Sequence, residues 1–313
     1  MSKCIAECKH FIRARADREI LGTHAWAEPE SVMSDRTRLL EGAGHVLDDV
    51  LGRPIAQGKT AEIYAWKTGK ILKLFRKGWP ISVAENEACV SRQARFAGLH
   101  VPASGSIVEI DGRVGLVYDL QTEPSLLRAV GFHPWSVIGA ARLLAEMQSL
   151  IHSFVIPDLP SQRQRMRDKI QQAEPLSNAQ RQTLLKALEK LPDGNQLCHG
   201  DFHPDNILVG ASGPIIVDWA DAGSGNPWAD VAHTSILLRF AELPTGTIHS
   251  ALIELGRHAF HWFYLQRYSQ LRKQERWQFK AWLPVAAAAR LPDASPVEQA
   301  SLLAFLKADR LFR

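Results

Sequence analysis

Hydrophobic and polar positions follow different periods in the two parts of the chain. In residues 55–120, short apolar runs alternate with polar turns that contain Gly, a pattern typical of β-strands. From Thr122 onward, apolar residues recur every three or four positions, as Val137, Ala140 and Leu144 do, which is typical of helices that bury one face. The pattern therefore predicts a small sheet followed by a larger helical region.

The first part is predicted to form an antiparallel sheet with one helix. Asp111-Gly112 lies between two apolar runs and is typical of a type I′ hairpin turn, in which both central residues have positive φ. The predicted elements are two strands within 55–66, a strand at 71–75, a helix at 81–99 that Gly98 closes, and strands at 107–110 and 113–120.

The second part is predicted to be helical, with Pro residues at its breaks. A helix is expected at 136–154, and two surface helices are expected within 162–190, around Pro175. After Asp230 a long helical region follows, broken at Leu243-Pro244 and Leu283-Pro284, because Pro removes a backbone donor and clashes with the preceding turn.

The residues that point to chemistry lie in and after residues 197–209. Two apolar runs flank a loop that contains Asp201 and Asn206, and Asp218 follows at the end of the second run. A hairpin brings these three side chains to one end. They offer the oxygen ligands that Mg²⁺ prefers, with one carboxylate left to orient or deprotonate a hydroxyl. Phosphoryl transfer requires both functions.

The motif resembles a known family. His-x-Asp-x-x-x-x-Asn at 199–206, followed by an apolar strand and Asp218, is similar to the catalytic and metal-binding segments of kinase-fold phosphotransferases. The sequence HGDFHPDNILV…IIVDWADAGSGNPWADVA is more similar to the aminoglycoside phosphotransferase and choline kinase group than to protein kinases. The resemblance implies an α+β, two-lobed protein-kinase-like fold, with a small antiparallel β-sheet lobe and a larger, mainly helical lobe.

The resemblance also implies roles for the loop residues. Asp201 would be the catalytic base, and Asn206 and Asp218 would be the metal ligands. His199 would pack beneath the loop, and Asp230, in the Asp-Val-Ala that opens the next helix, would hold the backbone of the loop from below.

A nucleotide site is implied in the sheet region. Lys73 lies among apolar strand residues; such a lysine alone would be interpreted as an edge residue whose amine reaches water. In the family, a lysine at this place pairs with the phosphates and a helix glutamate orients it. Glu87 is the expected partner, and Glu85 is the alternative.

The remaining expected nucleotide contacts are made by the backbone. The loop after the first strand lacks the full three-glycine pattern and has only Gly58, which leaves the phosphates to the backbone around Lys59 and Thr60. The backbone at Val117, Tyr118, Asp119 and Leu120 is expected to meet the adenine.

The predicted activity is an ATP- and Mg²⁺-dependent phosphotransferase with an alcohol group of a small molecule as acceptor. One alternative is a non-catalytic nucleotide-binding regulator with the same fold. The incomplete glycine loop is the feature that supports this alternative. A protein kinase is disfavoured, since only eleven residues separate Asp218 from Asp230, too few for a peptide-docking segment.

Composition limits the partners and the location. The net charge is +4 without dense Lys/Arg blocks, which argues against nucleic acid. No apolar run is long enough to span a membrane. Four irregularly spaced Cys residues predict a reducing cytoplasm rather than a disulfide framework. Cys4 and Cys8 with His10 lack a second ligand pair for a metal site.

Charge also bears on the acceptor. Residues 251–313 contain ten Lys/Arg and five Asp/Glu, and the basic helices around Arg163, Arg165, Arg167 and Lys169 are expected to face the same side as this region. Positive charge repels polycationic aminoglycosides, so a neutral or anionic acceptor is predicted; an aminoglycoside- or choline-type cation is the alternative. The predicted organisation is an N-terminal helical extension at 1–33, a nucleotide-binding lobe at 34–120, and a catalytic and acceptor-binding lobe at 121–313.

Overall fold

A computed structural model describes residues 51–130, 134–241, 250–273 and 275–312. The predicted extension at 1–33 and the predicted break at Leu243-Pro244 lie outside the described residues. The chain divides into two compact units, one up to Thr122 and one from Glu123 onward.

The first unit is built on a five-stranded antiparallel sheet with the strand order β1-β2-β3-β5-β4. One helix packs on it. Its elements are β1 (Ala56–Gln57), β2 (Ala61–Ala65), β3 (Lys70–Phe75), α1 (Ile81–Phe96), β4 (Ser104–Ile110) and β5 (Arg113–Asp119).

The second unit is mainly helical. Its eight α-helices in the described residues are α2 (Leu126–Val130), α3 (Pro134–Ile151), α4 (Gln162–Gln172), α5 (Asn178–Lys190), α6 (Pro227–Phe240), α7 (Ser250–Leu271), α8 (Gln278–Arg290) and α9 (Pro296–Ala308). Two small antiparallel pairs complete it, β6 (Gln196–Cys198) with β9 (Gly223–Gly225) and β7 (Ile207–Gly210) with β8 (Gly213–Ile216).

The sheet of the first unit has an apolar core on each face, because strand side chains alternate between the faces. In β3, Phe75 packs with Ala84 and Ala88 of α1, whereas Leu72 and Leu74 pack on the opposite face. Burying each of these leucines stabilises the fold by about 1.5–3 kcal/mol. The position between Leu72 and Leu74 therefore faces the helix.

The predicted type I′ hairpin turn is confirmed. Asp111 has φ +51° and Gly112 has φ +64°, and the turn joins the paired residues Ile110 and Arg113 of β4 and β5. Asp tolerates the left-handed region and Gly has no Cβ to oppose it.

Two predicted helix boundaries are wrong. The helix does not break at Leu283-Pro284, because α8 runs through Pro284. Trp282 and Val285 beside it are buried, and this packing offsets the lost hydrogen bond, which costs about 3 kcal/mol. Helix α6 begins before Asp230, at Pro227, because Asn226 caps it by accepting from the Trp228 N–H at 2.8 Å.

Candidate functional site

A buried ion pair lies between the sheet and the helix of the first unit. Lys73 Nζ is 2.8 Å from both carboxylate oxygens of Glu87, and the two side chains are 8% and 1% exposed. The alternative partner, Glu85, is exposed. The structure therefore brings together two predicted site residues, and it favours Glu87 over Glu85.

Hydrogen bonds from the sheet support this pair. Tyr118 donates its hydroxyl to Glu87 Oε1 at 3.0 Å, and Ser91 Oγ lies 3.2 Å from the same hydroxyl. Removing charges from water is costly unless further hydrogen bonds compensate, and Tyr118 supplies one. Sequence reasoning missed this side-chain role, since Tyr118 was expected to contribute only its backbone.

The predicted adenine-contacting backbone takes part in the sheet. The Asp119 N–H donates to Ala103 O at 3.1 Å, and the Leu120 N–H donates to Gly69 O at 2.9 Å. These two N–H groups are engaged within the unit, because β5 pairs with strands on both sides. The contact of Val117, Tyr118 and Asp119 with adenine stays a prediction.

The short loop between β1 and β2 is held at its carbonyl groups. The Gly58 N–H donates to Ala61 O at 2.8 Å. The guanidinium of Arg76 donates to the carbonyl oxygens of Gly58 and Lys59, at distances of 2.9–3.2 Å. Arg76 was not among the predicted site residues. The apolar pattern that located Lys73 ends at Phe75, so nothing in the pattern marked it.

In the second unit, the loop after β6 groups three polar side chains. Asn206 Nδ2 donates to the backbone oxygen of Asp201 at 2.8 Å. His203 Nε2 lies 3.5 Å from Asp201 Oδ2 and 3.2 Å from Asn206 Nδ2. Asn206 is 6% exposed, so its amide fixes the loop that carries Asp201.

The β7–β8 pair brings Asp218 to the same end as Asn206. Ile207 pairs with Ile216, and beyond this pair the Val217 N–H donates to Asn206 O at 3.1 Å. Asp218 follows directly, with φ +64°. This left-handed conformation costs about 1–3 kcal/mol in a non-Gly residue and is common at functional sites.

These two side chains fit a hard divalent cation. The hydrogen bond from Nδ2 of Asn206 to Asp201 O turns the Asn206 Oδ1 away from that oxygen, and Asp218 adds a carboxylate. Amide and carboxylate oxygens are the ligands that Mg²⁺ takes. The donor set therefore agrees with the predicted metal ligands.

A buried carboxylate supports the loop from beneath. Asp230 accepts the backbone N–H of Gly200 at 2.8 Å and that of His199 at 3.3 Å. It also accepts side-chain N–H groups from Gln148 at 2.9 Å and from His152 at 3.1 Å. The predicted position of Asp230 below the loop agrees with these contacts.

His152 is neutral in this network. Its Nε2 donates to Asp230, and its Nδ1 accepts from the Tyr268 hydroxyl at 2.7 Å. Burial lowers the pKa of His152, although the neighbouring carboxylate opposes this shift. His152, Cys198 and Asp230 lie close enough to hold a metal, but N–H donors already occupy the carboxylate. The cluster is a support for the loop.

Asp201 is ionised. Burial favours its neutral form, but the hydrogen bond and charge of His203 outweigh burial and hold the pKa of Asp201 well below its usual range. Burial likewise opposes the charge of His203, and Asp201 nevertheless raises the pKa of His203. A carboxylate with so low a pKa orients a hydroxyl by accepting its hydrogen bond, and accepts the proton only as the hydroxyl becomes acidic.

Two histidines near Asp201 were not predicted as site residues. His203 lies beside Asp201, and its position two residues after Asp201 was a usable signal. His233 is buried in α6, where burial lowers its pKa and the charge of Asp201 opposes this effect. His233 comes 32 residues after Asp201 in the chain, so only the fold reveals this proximity.

The expectation that helix α4, with Arg163, Arg165, Arg167 and Lys169, faces the same side as residues 251–313 stays a prediction. Its four basic residues lie on two sides of the helix. Residues two positions apart on a helix point in nearly opposite directions, because each residue turns about 100°. Each of the four is paired with a carboxylate. The pairs are Arg163 with Asp193, Arg167 with Glu189, Arg165 with Asp221, and Lys169 with Asp293 and Asp221.

Comparisons with known proteins agree with this fold. Residues 52–262 match the model of the phosphotransferase enzyme family. A solved thermostable mutant of aminoglycoside phosphotransferase APH(4)-Ia, in a ternary complex with ADP and hygromycin B, is 15% identical with a TM-score of 0.57, covering 84% of this chain and 96% of that chain. No curated protein sequence matches significantly.

Two further solved structures are similar. The streptomycin–ATP–APH(2″)-IIa ternary complex is 14% identical with a TM-score of 0.52, covering 92% of this chain and 99% of that one. Amicoumacin kinase hAmiN, in complex with AMP-PNP, Ca²⁺ and Ami, is 16% identical with a TM-score of 0.51, covering 82% and 86%. These likenesses confirm the predicted kinase-like fold. Among the described residues, no helix has both the length and the apolar character needed to cross a bilayer.

Proposed function

This chain belongs to the phosphotransferase enzyme family, and we propose from this premise that it transfers the γ-phosphoryl group of ATP to a hydroxyl of a small molecule. The observation that carries the proposal is the grouping of Asp201, Asn206 and Asp218 at one end of the β7–β8 hairpin. The proposed nucleotide-binding lobe is 34–120, and the proposed catalytic and acceptor-binding lobe is 121–313.

Asp201 is the proposed base. Its ionised carboxylate accepts the hydrogen bond of the acceptor hydroxyl and so points the hydroxyl oxygen at the γ-phosphorus. The new P–O bond forms as the bond to the β–γ bridging oxygen breaks, the hydroxyl proton passes to the Asp201 carboxylate, and ADP leaves. A positioned base of this kind contributes roughly 100- to 10,000-fold to rate.

Asn206 and Asp218 are the proposed ligands of Mg²⁺. When bound, the cation would neutralise the charge of the phosphate oxygens. Asn206 can keep its ligand oxygen oriented because the other half of its amide is hydrogen-bonded to Asp201 O at 2.8 Å.

Lys73 is the proposed partner of the nucleotide phosphates, and Glu87 holds its amine in place. The buried pair, with N–O distances of 2.8 Å, would serve nucleotide binding in an enzyme and in a regulator alike. What speaks against a regulator that lost turnover is that the catalytic and metal positions are all filled, by Asp201, Asn206 and Asp218. The backbone of Gly58, Lys59 and Thr60 is proposed to cover the phosphates.

The proposed acceptor is neutral or anionic. The charge of Arg290 is one of several positive charges that act on Asp201, and three carboxylates of the second unit are already paired with cations. Carboxylates engaged in this way are poor partners for the amines of a polycationic drug. The pairs are Lys169 with Asp293 at 2.7 Å, Arg290 with Glu298 at 2.8 Å and Arg165 with Asp221 at 3.9 Å.

A turnover screen tests the proposal. The wild type and Asp201→Asn are incubated with MgATP and a panel of sugars, sugar phosphates, amino alcohols and aminoglycosides, and phosphorylated product is measured. We expect product from a neutral or anionic acceptor, and we expect its loss in Asp201→Asn. MgATP binding without turnover of any acceptor, in both proteins alike, would support the regulator instead.

A further inference from the structure

The loop that follows β1 has one glycine, and an arginine compensates for the others. Arg76 follows β3 directly. Its Nε lies 3.0 Å from Lys59 O and 3.2 Å from Gly58 O, and its Nη2 lies 2.9 Å from Gly58 O. The Arg76 N–H also donates to Thr60 O at 2.8 Å. One residue thus holds three consecutive carbonyl groups.

Holding the carbonyl groups also directs the N–H groups. In a trans peptide the N–H points opposite to the C=O of the same planar unit. The carbonyls of Gly58 and Lys59 share their planes with the N–H groups of Lys59 and Thr60. When Arg76 draws both carbonyls to one side, the two N–H groups are turned to the other side. Successive N–H groups with one orientation form an anion-binding concavity.

We propose that Arg76 is a positioning residue for the nucleotide phosphates. It fixes the peptide planes at Lys59 and Thr60 so that their N–H groups donate to phosphate oxygens. In a glycine-rich loop, the missing side chains permit this close approach of the backbone; here the guanidinium enforces it from behind. The inference rests on the proposed function, since it requires that the bound ligand is a nucleotide with phosphates.

The surroundings of Arg76 show that it is itself oriented. Glu62 Oε1 is 3.5 Å from Arg76 Nη1, and Glu62 Oε2 is 2.6 Å from Arg113 Nη2. Arg113 donates to Phe75 O at 2.9 Å, at the strand end from which Arg76 emerges. Glu62 therefore lies between two arginines and directs the guanidinium of Arg76 towards the loop.

Arg76 can be replaced without dismantling the unit. Its side chain is 44% exposed, and an ion pair at such a site contributes about 0–1 kcal/mol. Arg113, by contrast, is mostly buried and is bonded to the carbonyls of Leu74 and Phe75. Variants at Arg76 test the loop, whereas variants at Arg113 would test the sheet.

The experiment compares Arg76→Met, Arg76→Lys and the control Arg92→Met, which changes an exposed arginine on α1. Calorimetry measures the affinity of each folded variant for MgATP and for adenosine. We expect Arg76→Met to weaken MgATP binding about tenfold, the loss expected when hydrogen bonds worth about 1.4 kcal/mol are removed. Adenosine binding should change less than about twofold, and Arg76→Lys should be intermediate.

Hydrogen exchange of the ligand-free variants supplies a readout without nucleotide. Amides in 58–61 should exchange faster in Arg76→Met than in Arg92→Met. Equal exchange, unchanged MgATP affinity, or an equal loss for MgATP and adenosine would each overturn the inference and leave the proposed function standing. If the wild type fails to bind MgATP, the proposed function fails and this inference fails with it.

Discussion

Two loops in this molecule are each fixed through their backbone by a charged side chain, yet the two anchors differ. The loop at His199–Gly200 is held by Asp230, a carboxylate that is 1% exposed and accepts backbone N–H groups. The loop at Gly58–Thr60 is held by Arg76, a half-exposed guanidinium that donates to backbone carbonyls. The first anchor lies beneath its loop inside the protein, and the second lies at the surface.

The difference has an energetic meaning. A buried carboxylate that loses its donors carries the full cost of an unsatisfied charge, so its loop has one arrangement only. An exposed guanidinium can exchange its bonds for water at little cost. We therefore expect the loop of Asp201 to be rigid and the loop of Gly58 to adjust to its ligand.

The largest expected effect concerns the loop that is fixed from beneath. Asp201→Asn should lower turnover roughly 100- to 10,000-fold, because the amide keeps the shape and cannot accept a proton. Thermal stability and MgATP affinity should change little, since Asp230 still holds the loop. Steady-state kinetics is the measurement. Asp205→Asn in the same loop, at an exposed position, is the control; equal losses in both variants would show that Asp201 has no special role.

The second prediction concerns the replacement of Asp230, the buried anchor. Asp230→Asn should lower the free energy of unfolding by about 3 kcal/mol, because neighbouring N–H groups lose a charged acceptor in the interior. Urea denaturation measures the loss. Asp193→Asn is matched to it, since Asp193 pairs with Arg163 but is 63% exposed, and it should cost less than about 1 kcal/mol. Similar losses of unfolding free energy in the two variants would show that the buried carboxylate is no more important to stability than an exposed one.

The third prediction concerns the effect of pH on the buried anchor. Burial lowers the pKa of His152 below its usual value near 6.5, whereas the unfolded chain binds the proton normally. The folded state is therefore favoured at high pH, and stability should fall as the pH drops below about 6.5. The lowered pKa of Asp230 adds no loss in this range, because its effect begins only near the usual carboxyl pKa.

Denaturation at pH 7 and pH 5 tests this sign. His152→Gln, which can still donate to Asp230, should reduce the difference in unfolding free energy between the two pH values by about 1 kcal/mol. His203 acts in the opposite direction, because Asp201 raises its pKa and favours the folded state at low pH. A wild type that is more stable at pH 5 than at pH 7 would contradict the prediction.

The smallest expected effect concerns the exposed anchor. Salt at about 0.5 M screens surface ion pairs such as Glu62–Arg76, and buried contacts much less. Amide exchange in 58–61 should rise about twofold, a change of a few tenths of a kcal/mol, while exchange at His199 and Gly200 stays constant. An equal response of the two loops to salt would mean that Arg76 is no weaker an anchor than Asp230.

The positions in the chain explain why only one of the anchors was predicted. Asp230 belongs to the same family motif as the loop that it supports, so the resemblance predicted its role. Arg76 is 17 residues from Lys59 and lies beside Lys77 in the segment between β3 and α1, where a charged side chain is ordinary. Likewise, Tyr118 was noticed for its backbone, and its bond to Glu87 depends on how α1 packs against β5.

By itself, the sequence determined the local features of this protein. Strand alternation, the Asp111-Gly112 turn and the 3.6-residue period of the helices depend on neighbouring residues, so the sheet and most helices could be predicted. Tertiary structure decided whatever needed a distant partner. Helix α8 continues through Pro284 because the residues around Trp282 are packed in the interior. Asp230 contacts His152, which lies 78 residues away in the chain. Carboxylates from other segments pair with the basic residues of α4. The physical reason is that local conformation follows from short-range sterics and hydrogen bonds, whereas burial and pairing of charges depend on which distant surfaces the folded chain brings together.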